Sequence, residues 1–177
     1  MTFGEVTCMI FGGLSPKFTQ LAGSKKKAFA AATLICLLTS VAFYFIPMSP
    51  AYIWLMVGIV VLTSVGIGIY SPLLWSMYAD VADYATQQNG TSSTGLIFSS
   101  GTMSQKFGSA ISGALVALLL GIAGFASGTN ADGSTVVNIA PEDYDSVKQM
   151  IWMLFSIFPA VIAGLMLLLV KLYPINK

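Results

Sequence analysis

The segment Thr94–Phe125 reads TGLIFSSGTMSQKFGSAISGALVALLLGIAGF and carries one charged residue, Lys106. At about 1.5 Å per residue, a helix of this length exceeds the roughly 30 Å hydrocarbon core of a bilayer. Lys106 would lie about 18 Å along that helix, close to the bilayer midplane. An ammonium group at this depth costs about 3 kcal/mol on insertion scales, so it is usually retained for a function. The segment therefore predicts a membrane-spanning helix with a functional charge.

The composition of the rest of the chain agrees with a membrane protein. Hydrophobic residues make up 56% of the sequence and charged residues 8%, whereas soluble domains carry about a quarter charged residues. The net charge of +1 gives no indication of a nucleic-acid partner. The sequence contains no histidine, and we see no nucleophile beside a base, so we expect no catalytic residues, no metal site and no cofactor. Cys8 and Cys36 lie in apolar surroundings and are predicted to be free thiols.

Four apolar stretches are long enough to cross a bilayer, at residues 28–46, 51–77, 94–125 and 147–173. A shorter apolar stretch over 1–14 covers about 21 Å and is predicted to be part of a further helix. The polar segments 15–27, 78–93 and 126–146 are predicted to be connections between helices. The sequence thus predicts one all-α domain over 1–177, with four full transmembrane helices and part of a fifth.

The distribution of charges predicts how these helices are oriented. Four crossings place the 15–27 segment, the 78–93 segment and the C-terminus on one side of the membrane. That side carries six lysines: Lys17, Lys25, Lys26, Lys27, Lys171 and Lys177. The opposite side carries one lysine and four acids: Lys148, Asp132, Glu142, Asp143 and Asp145. Because cytoplasmic loops are enriched in lysine and arginine, we expect the lysine-rich side to be cytoplasmic.

The surroundings of Lys106 leave two interpretations open. Thr102 lies one helical turn before it on the same face, and small residues recur along the helix at spacings that allow close helix packing. A buried ammonium needs a carboxylate, carbonyl groups or water. The sequence offers no carboxylate at comparable depth except Glu5. Lys106 therefore serves either a transport site whose partner lies outside this chain or a purely structural ion pair; we favour the first.

A second charged motif lies at the end of the 51–77 span. Asp80 and Asp83 are three positions apart, which places both carboxylates on one helix face if the helix continues. A solvated acidic loop with helix-capping duties explains the same spacing, and the spacing alone favours that interpretation.

Taken together, three segments resemble the C-terminal half of a glycoside–pentoside–hexuronide:cation symporter, the melibiose-permease-like branch of the major facilitator superfamily. The first is the basic connection from Gly13-Leu-Ser-Pro-Lys17 to Gly23-Ser-Lys-Lys-Lys27. The second is the run from Pro72 through Trp75 to Ala79-Asp80-Val-Ala-Asp83-Tyr84. The third is Thr102-Met103 with Lys106 and Gly108-Ser-Ala110. The resemblance covers nearly the whole chain but only the last two-fifths or so of such a transporter.

The resemblance implies roles for individual residues. Lys106 and Thr102 would line the site for substrate and cation, with Lys106 balancing carboxylates of an N-terminal half that this chain lacks. Asp80, Asp83 and Tyr84 would belong to a cytoplasmic gating motif. Trp75 would either border the cavity or anchor the helix at the membrane interface, and we favour the interface.

The resemblance also implies an activity and a location. The protein would be part of a symporter that couples sugar or glycoside uptake to sodium or protons, and the sequence does not choose between the two ions. Alternating access in a bacterial cytoplasmic (inner) membrane would be its mechanism, with no enzyme chemistry. This half alone would not bind the coupling ion. Its partners would be the lipid bilayer, the N-terminal half and the sugar. The alternative is a small membrane protein that acts only by helix packing.

Overall fold

A computed structural model describes residues 3–47, 49–129 and 135–173. Asp132 and Lys177, two of the charges used to predict orientation, lie outside the described residues. The elements in chain order are α1 (Phe3–Ala22), α2 (Lys25–Tyr44), α3 (Ile53–Asn89), α4 (Thr94–Ile122), β1 (Ala126–Thr129), β2 (Thr135–Asn138), α5 (Tyr144–Phe155) and α6 (Ile157–Lys171). Short 3-10 turns, Pro50–Tyr52 and Pro141–Asp143, precede α3 and α5.

Among the described residues, four helical segments are long and apolar enough to cross a membrane: 25–44, 50–89, 94–122 and 141–171. This confirms the prediction of an all-α polytopic membrane protein, to which the structure adds one small antiparallel hairpin of β1 and β2. Many large apolar side chains are exposed, such as Leu118 and Leu168. Exposed apolar side chains on long helices are what a bilayer solvates.

The connections are shorter than the sequence predicted. The prediction of a loop over 15–27 is wrong, because α1 runs through Pro16 to Ala22 and leaves a turn of Gly23 and Ser24. Gly23 adopts a φ of 75°, and this left-handed conformation, which glycine tolerates best, ends the helix. Ser24 then begins α2 by accepting a hydrogen bond from the backbone N–H of Lys27 at 3.2 Å.

The predicted loop over 78–93 is also wrong for most of its length. Helix α3 continues through Pro72 to Asn89 and ends at Gly90, whose φ is 68°. Asp80, Asp83 and Tyr84 therefore lie on a helix. Polarity alone does not end a helix, whereas a glycine in the left-handed region does. The last predicted span, 147–173, is interrupted at Ser156, between α5 and α6.

Helix α3 is at the centre of the packing. It packs against α1, α2 and α4, and α2 packs in turn against α6. The main core cluster joins small and aromatic residues of α2 to apolar residues of α3 and one residue of α6: Ala28, Phe29, Ala32, Ile69, Leu73, Met77 and Val170. Two hydroxyl contacts also join α3 to its neighbours: Ser15 of α1 donates to the carbonyl of Ile69 at 3.2 Å, and Thr63 donates to the hydroxyl of Thr39 on α2 at 2.9 Å. Hydroxyl pairs of this kind join helices in apolar surroundings.

Candidate functional site

Helix α4 carries two polar residues, Thr102 and Lys106, that the rest of the described chain does not cover; we call them the polar stripe. Thr102 and Lys106 are one turn apart on the same face, and both are exposed. The Thr102 hydroxyl donates to the carbonyl of Phe98 at 2.9 Å, so it is satisfied within the helix. Within the part of the chain that the structure describes, Lys106 makes no hydrogen bond and no ion pair. The structure thus brings the two predicted site residues together without supplying a counter-charge.

An aromatic cluster holds α4 against α3. The indole of Trp75 stacks on the ring of Phe98, with centroids 6.2 Å apart and planes at 9°. The ring of Tyr78 meets Trp75 edge-on at 5.7 Å. Gly101 is buried against Tyr78, and a Cβ at this position would come within 2.9 Å of that ring. The glycine and the three rings therefore fix the height and rotation at which α4 presents Lys106.

Trp75 also faces a groove between α1 and α3. The groove has a volume of about 480 Å³, and Glu5, Met9, Gly12, Gly68 and Ser71 are among its other lining residues. The side chain of Trp75 is 37% exposed. The cavity and the interface anchor both remain predictions for this residue, which lines the groove with α1 and stacks on Phe98 of α4.

At the lysine-rich end of the helices, Asp80 is held in an ion pair. The ammonium of Lys25, at the start of α2, lies 2.7 Å and 2.9 Å from the two carboxylate oxygens of Asp80 on α3. The two side chains are 27% and 15% exposed, respectively. An ion pair that is largely screened from water is costly to break, because the partner left behind keeps its charge without compensation. The sequence analysis uses Lys25 only to predict the orientation of the helices in the membrane, and it does not predict the contact of Lys25 with Asp80.

The same end is tied to α6. Lys26 donates hydrogen bonds from its ammonium to the backbone carbonyls of Lys171 at 3.2 Å and Tyr173 at 2.7 Å. Lys171 is the last residue of α6, so its carbonyl is among those that the end of a helix leaves without an intrahelical partner. The Tyr173 hydroxyl donates to the carbonyl of Met77 on α3 at 3.5 Å. Burial, followed by the negative charge of Asp80, raises the pKa of the Tyr173 hydroxyl above its ordinary value.

The other two residues of the predicted gating motif lie outside this cluster. Asp83 is exposed and, among the described residues, has no ion pair. Tyr84 is 50% exposed, and its hydroxyl accepts a hydrogen bond from the side-chain amide of Gln88 at 3.2 Å. The carboxylates of Asp80 and Asp83 thus differ in environment although both belong to one helix. Within the described residues, no group of three or more potential metal ligands is close enough to hold an ion.

These features define an integral membrane protein built from long packed helices, with an uncompensated lysine on one of them and an ion pair at their ends. The sequence matches the family described as MFS/sugar transport protein over residues 1–177, and the chain belongs to that family. The resemblance of the three segments to a sugar symporter of the major facilitator superfamily is thereby confirmed at the level of the family.

Three relatives extend the comparison. An uncharacterized 29.9 kDa protein in the crtE 3' region of Pseudescherichia vulneris is 30% identical over 140 residues, which are 79% of this chain and 46% of that protein. The inner membrane symporter YicJ of Escherichia coli K12 is 31% identical over 134 residues, 76% of this chain and 26% of YicJ. YagG of the same strain, which carries a provisional description as a glycoside/cation symporter, is 29% identical over 106 residues, 60% of this chain and 21% of YagG.

The chain therefore spans less than half of the length of the curated relatives it matches. No solved structure matches it significantly.

Proposed function

We propose that this chain forms the C-terminal part of a cation-coupled symporter for a sugar or glycoside in a bacterial cytoplasmic (inner) membrane. The observation that carries the proposal is the ammonium of Lys106, which is exposed on a spanning helix of a sugar transport family and has no counter-charge among the described residues. The descriptions of YicJ and YagG, which both name a symporter, support the same class of activity.

Lys106 would act by charge compensation. A carboxylate of the remaining part of the transporter would neutralise the ammonium while the cation site is empty. An incoming sodium ion or proton would compete with Lys106 for that carboxylate, so cation binding would change the free energy of the contact between the two halves. A change of this kind favours one of the two orientations of an alternating-access transporter over the other.

The substrate path would run past the polar stripe of α4 and the groove between α1 and α3. Trp75 offers a partly exposed aromatic ring, and Thr102 offers a hydroxyl on the face that carries Lys106. A sugar combines apolar C–H faces with hydroxyl groups, so one aromatic surface and a few polar groups are the chemistry that recognises it. The ion pair of Lys25 with Asp80 would hold α2 and α3 together at the cytoplasmic end while that end is closed.

The decisive experiment replaces Lys106 with methionine in cells that make this chain together with the remaining part of the transporter. Methionine keeps much of the length of the side chain and removes its charge. We expect the variant to reach the membrane in normal amounts and to lose accumulation of a labelled glycoside against its gradient. The matched control is Lys148→Met. It removes an exposed lysine on the membrane side opposite to the lysine-rich end and should leave accumulation unchanged. Normal accumulation by Lys106→Met would overturn the role of the lysine.

One observation favours the alternative of a protein that acts by helix packing alone. At Gly108 and Gly113 on α4, a Cβ would meet nothing within 4 Å, so this helix offers an open surface of small residues to another helix. In that case Lys106→Met should strengthen the association of the chain with its partner, because an uncompensated ammonium no longer has to be desolvated. The same variant therefore separates the two functions.

A further inference from the structure

A groove of about 730 Å³ lies between the start of α2 and the end of α6. We propose that it binds the phosphate headgroup of an anionic phospholipid, with the acyl chains lying along α6. The proposal does not depend on transport. Three lysines form the rim of the groove and apolar side chains form its wall: Lys26, Lys27 and Lys171, and Leu167, Leu168 and Val170.

The charge of the groove is unbalanced. No acidic residue is among its lining residues, and the ion pair found in the described chain uses Lys25, which points to Asp80 instead. Lys26 is fixed in place by the carbonyls of Lys171 and Tyr173, but carbonyl oxygens do not neutralise its charge. Lys27 and Lys171 are exposed. Three ammonium groups at one groove repel one another, and a phosphate group between them removes that repulsion.

The wall of the groove selects a lipid over a soluble anion. Leu168 is 60% exposed and belongs to a segment that is long and apolar enough to cross the membrane. Leu167 is half-buried and lies one turn before Lys171 in the same segment, whereas Val170 is buried and leaves Leu167 and Leu168 as the open part of the wall. A soluble phosphate would make no use of this apolar surface, whereas the acyl chains of a phospholipid would cover it. Basic pockets between transmembrane helices are typical sites for anionic headgroups, and each lysine near the surface strengthens such binding about fivefold.

The test uses the chain of residues 1–177, purified in detergent and titrated with phosphatidylglycerol or with phosphatidylcholine of the same acyl chains. Native mass spectrometry counts the retained lipids and gives their affinities. We expect one phosphatidylglycerol to be retained, and phosphatidylcholine to bind at least about tenfold more weakly because its headgroup carries no net charge.

The variants are chosen to keep the fold. Lys27→Gln and Lys171→Gln each remove an exposed charge, and each should weaken binding of phosphatidylglycerol about fivefold, the pair about thirtyfold. Lys26 is left in place because it holds the end of α6. The matched control is Lys17→Gln, an exposed lysine near the end of α1 that does not line the groove; it should leave the affinity unchanged.

Three results would overturn the proposal. The first is the absence of a preference for phosphatidylglycerol, whether the two lipids are retained equally or neither is retained. Retention of neither lipid is the result expected for a groove that binds an acidic protein segment instead. The second is an equal loss of affinity in Lys17→Gln, which would indicate attraction by the net charge alone. The third is displacement of the lipid by millimolar inorganic phosphate, which would indicate a site for a soluble anion.

Discussion

Asp80 is the charged residue whose replacement should most clearly affect stability. Asp80→Asn leaves Lys25 without its counter-charge at a position that is only 27% exposed. Exposed ion pairs contribute about 0–1 kcal/mol and removal of one partner from a buried pair costs about 3–5 kcal/mol, so we expect a loss of about 1–2 kcal/mol. Thermal unfolding of the purified chain in detergent measures this change.

Asp83 supplies the control for that measurement. It lies on the same helix three positions later, is exposed, and has no ion pair in the described part of the chain. Asp83→Asn should change stability by less than about 0.5 kcal/mol. If Lys25→Met restores the stability lost in Asp80→Asn, the loss is due to the uncompensated ammonium. Equal losses in Asp80→Asn and Asp83→Asn would contradict the importance of the ion pair.

The sequence could predict that Thr102 and Lys106 share a helix face, but not the contacts that Lys25 and Trp75 make. Thr102 and Lys106 share a helix, so their spacing alone places them on one face. Lys25 and Asp80 are separated by 55 positions, and nothing in either segment states that α2 begins beside this turn of α3. The sequence did predict that Lys25 and Asp80, which carry opposite charges, lie on the same side of the membrane, and that was the available signal for their contact. The contact of Trp75 with Phe98 depends on how α4 packs, so the sequence favours only the membrane interface for this residue.

Helix α3 approaches its neighbours through glycines, and these contacts should not tolerate a side chain. A Cβ at Gly66 would lie 2.5 Å from the sulfur of Cys36 and 2.9 Å from the carbonyl oxygen of Ala32 on α2. A Cβ at Gly68 would lie 2.7 Å from the carbonyl oxygen of Cys8 on α1. Backbone atoms cannot rotate away, so each Gly→Ala change should force the helices apart at a cost of about 1–3 kcal/mol.

Gly58 provides the comparison within the same helix, because nothing lies within 4 Å of a Cβ placed there. Gly58→Ala should leave stability unchanged or raise it slightly, since alanine favours a helix more than glycine does. The three variants are compared by thermal unfolding in one detergent. A loss in Gly58→Ala as large as in Gly66→Ala would show that helix flexibility, and not close packing, is what these glycines provide.

The ends of the helices show where local sequence patterns are insufficient. The starts and ends of α2 and α4 agree with the predicted spans within about three residues because hydrophobicity changes sharply there. The interruption of the last span at Ser156 has a cause in the sequence, a proline, to which a hydrophobicity pattern is not sensitive. Pro159 cannot donate a hydrogen bond to the carbonyl of Phe155, and the backbone of Ser156 departs from helical values, with φ −114° and ψ −70°.

Two sets of contacts connect the helices of the chain at different heights. The ion pair of Lys25 and the carbonyl contacts of Lys26 join three helices at one end, and the aromatic cluster of Trp75 and Phe98 holds α4 part of the way along α3. A displacement of α4 that accompanies a change at Lys106 would therefore be transmitted to α3 through that cluster.

The orientation of the molecule in the membrane is the last prediction, and it follows from where the charges lie. Lys17, Lys25, Lys26, Lys27 and Lys171 lie at the end where α1 and α6 end, whereas the β-hairpin and the acids of the turn before α5 lie at the other. The positive-inside rule places the lysine end in the cytoplasm. Single cysteines at Gln88 and Ser127, both exposed positions, report on the two ends once Cys8 and Cys36 are replaced by serine.

A membrane-impermeant maleimide added to intact spheroplasts should label Ser127→Cys at once and Gln88→Cys only after the membrane is permeabilised. The replacement of both native cysteines provides the background, which should show no labelling in either condition. The reverse pattern would place the lysine-rich groove and the Lys25–Asp80 pair on the outer side. The proposed gate at that end would then close the outward path, and the proposed lipid site would face the outer leaflet, so this one measurement fixes the direction in which both proposals apply.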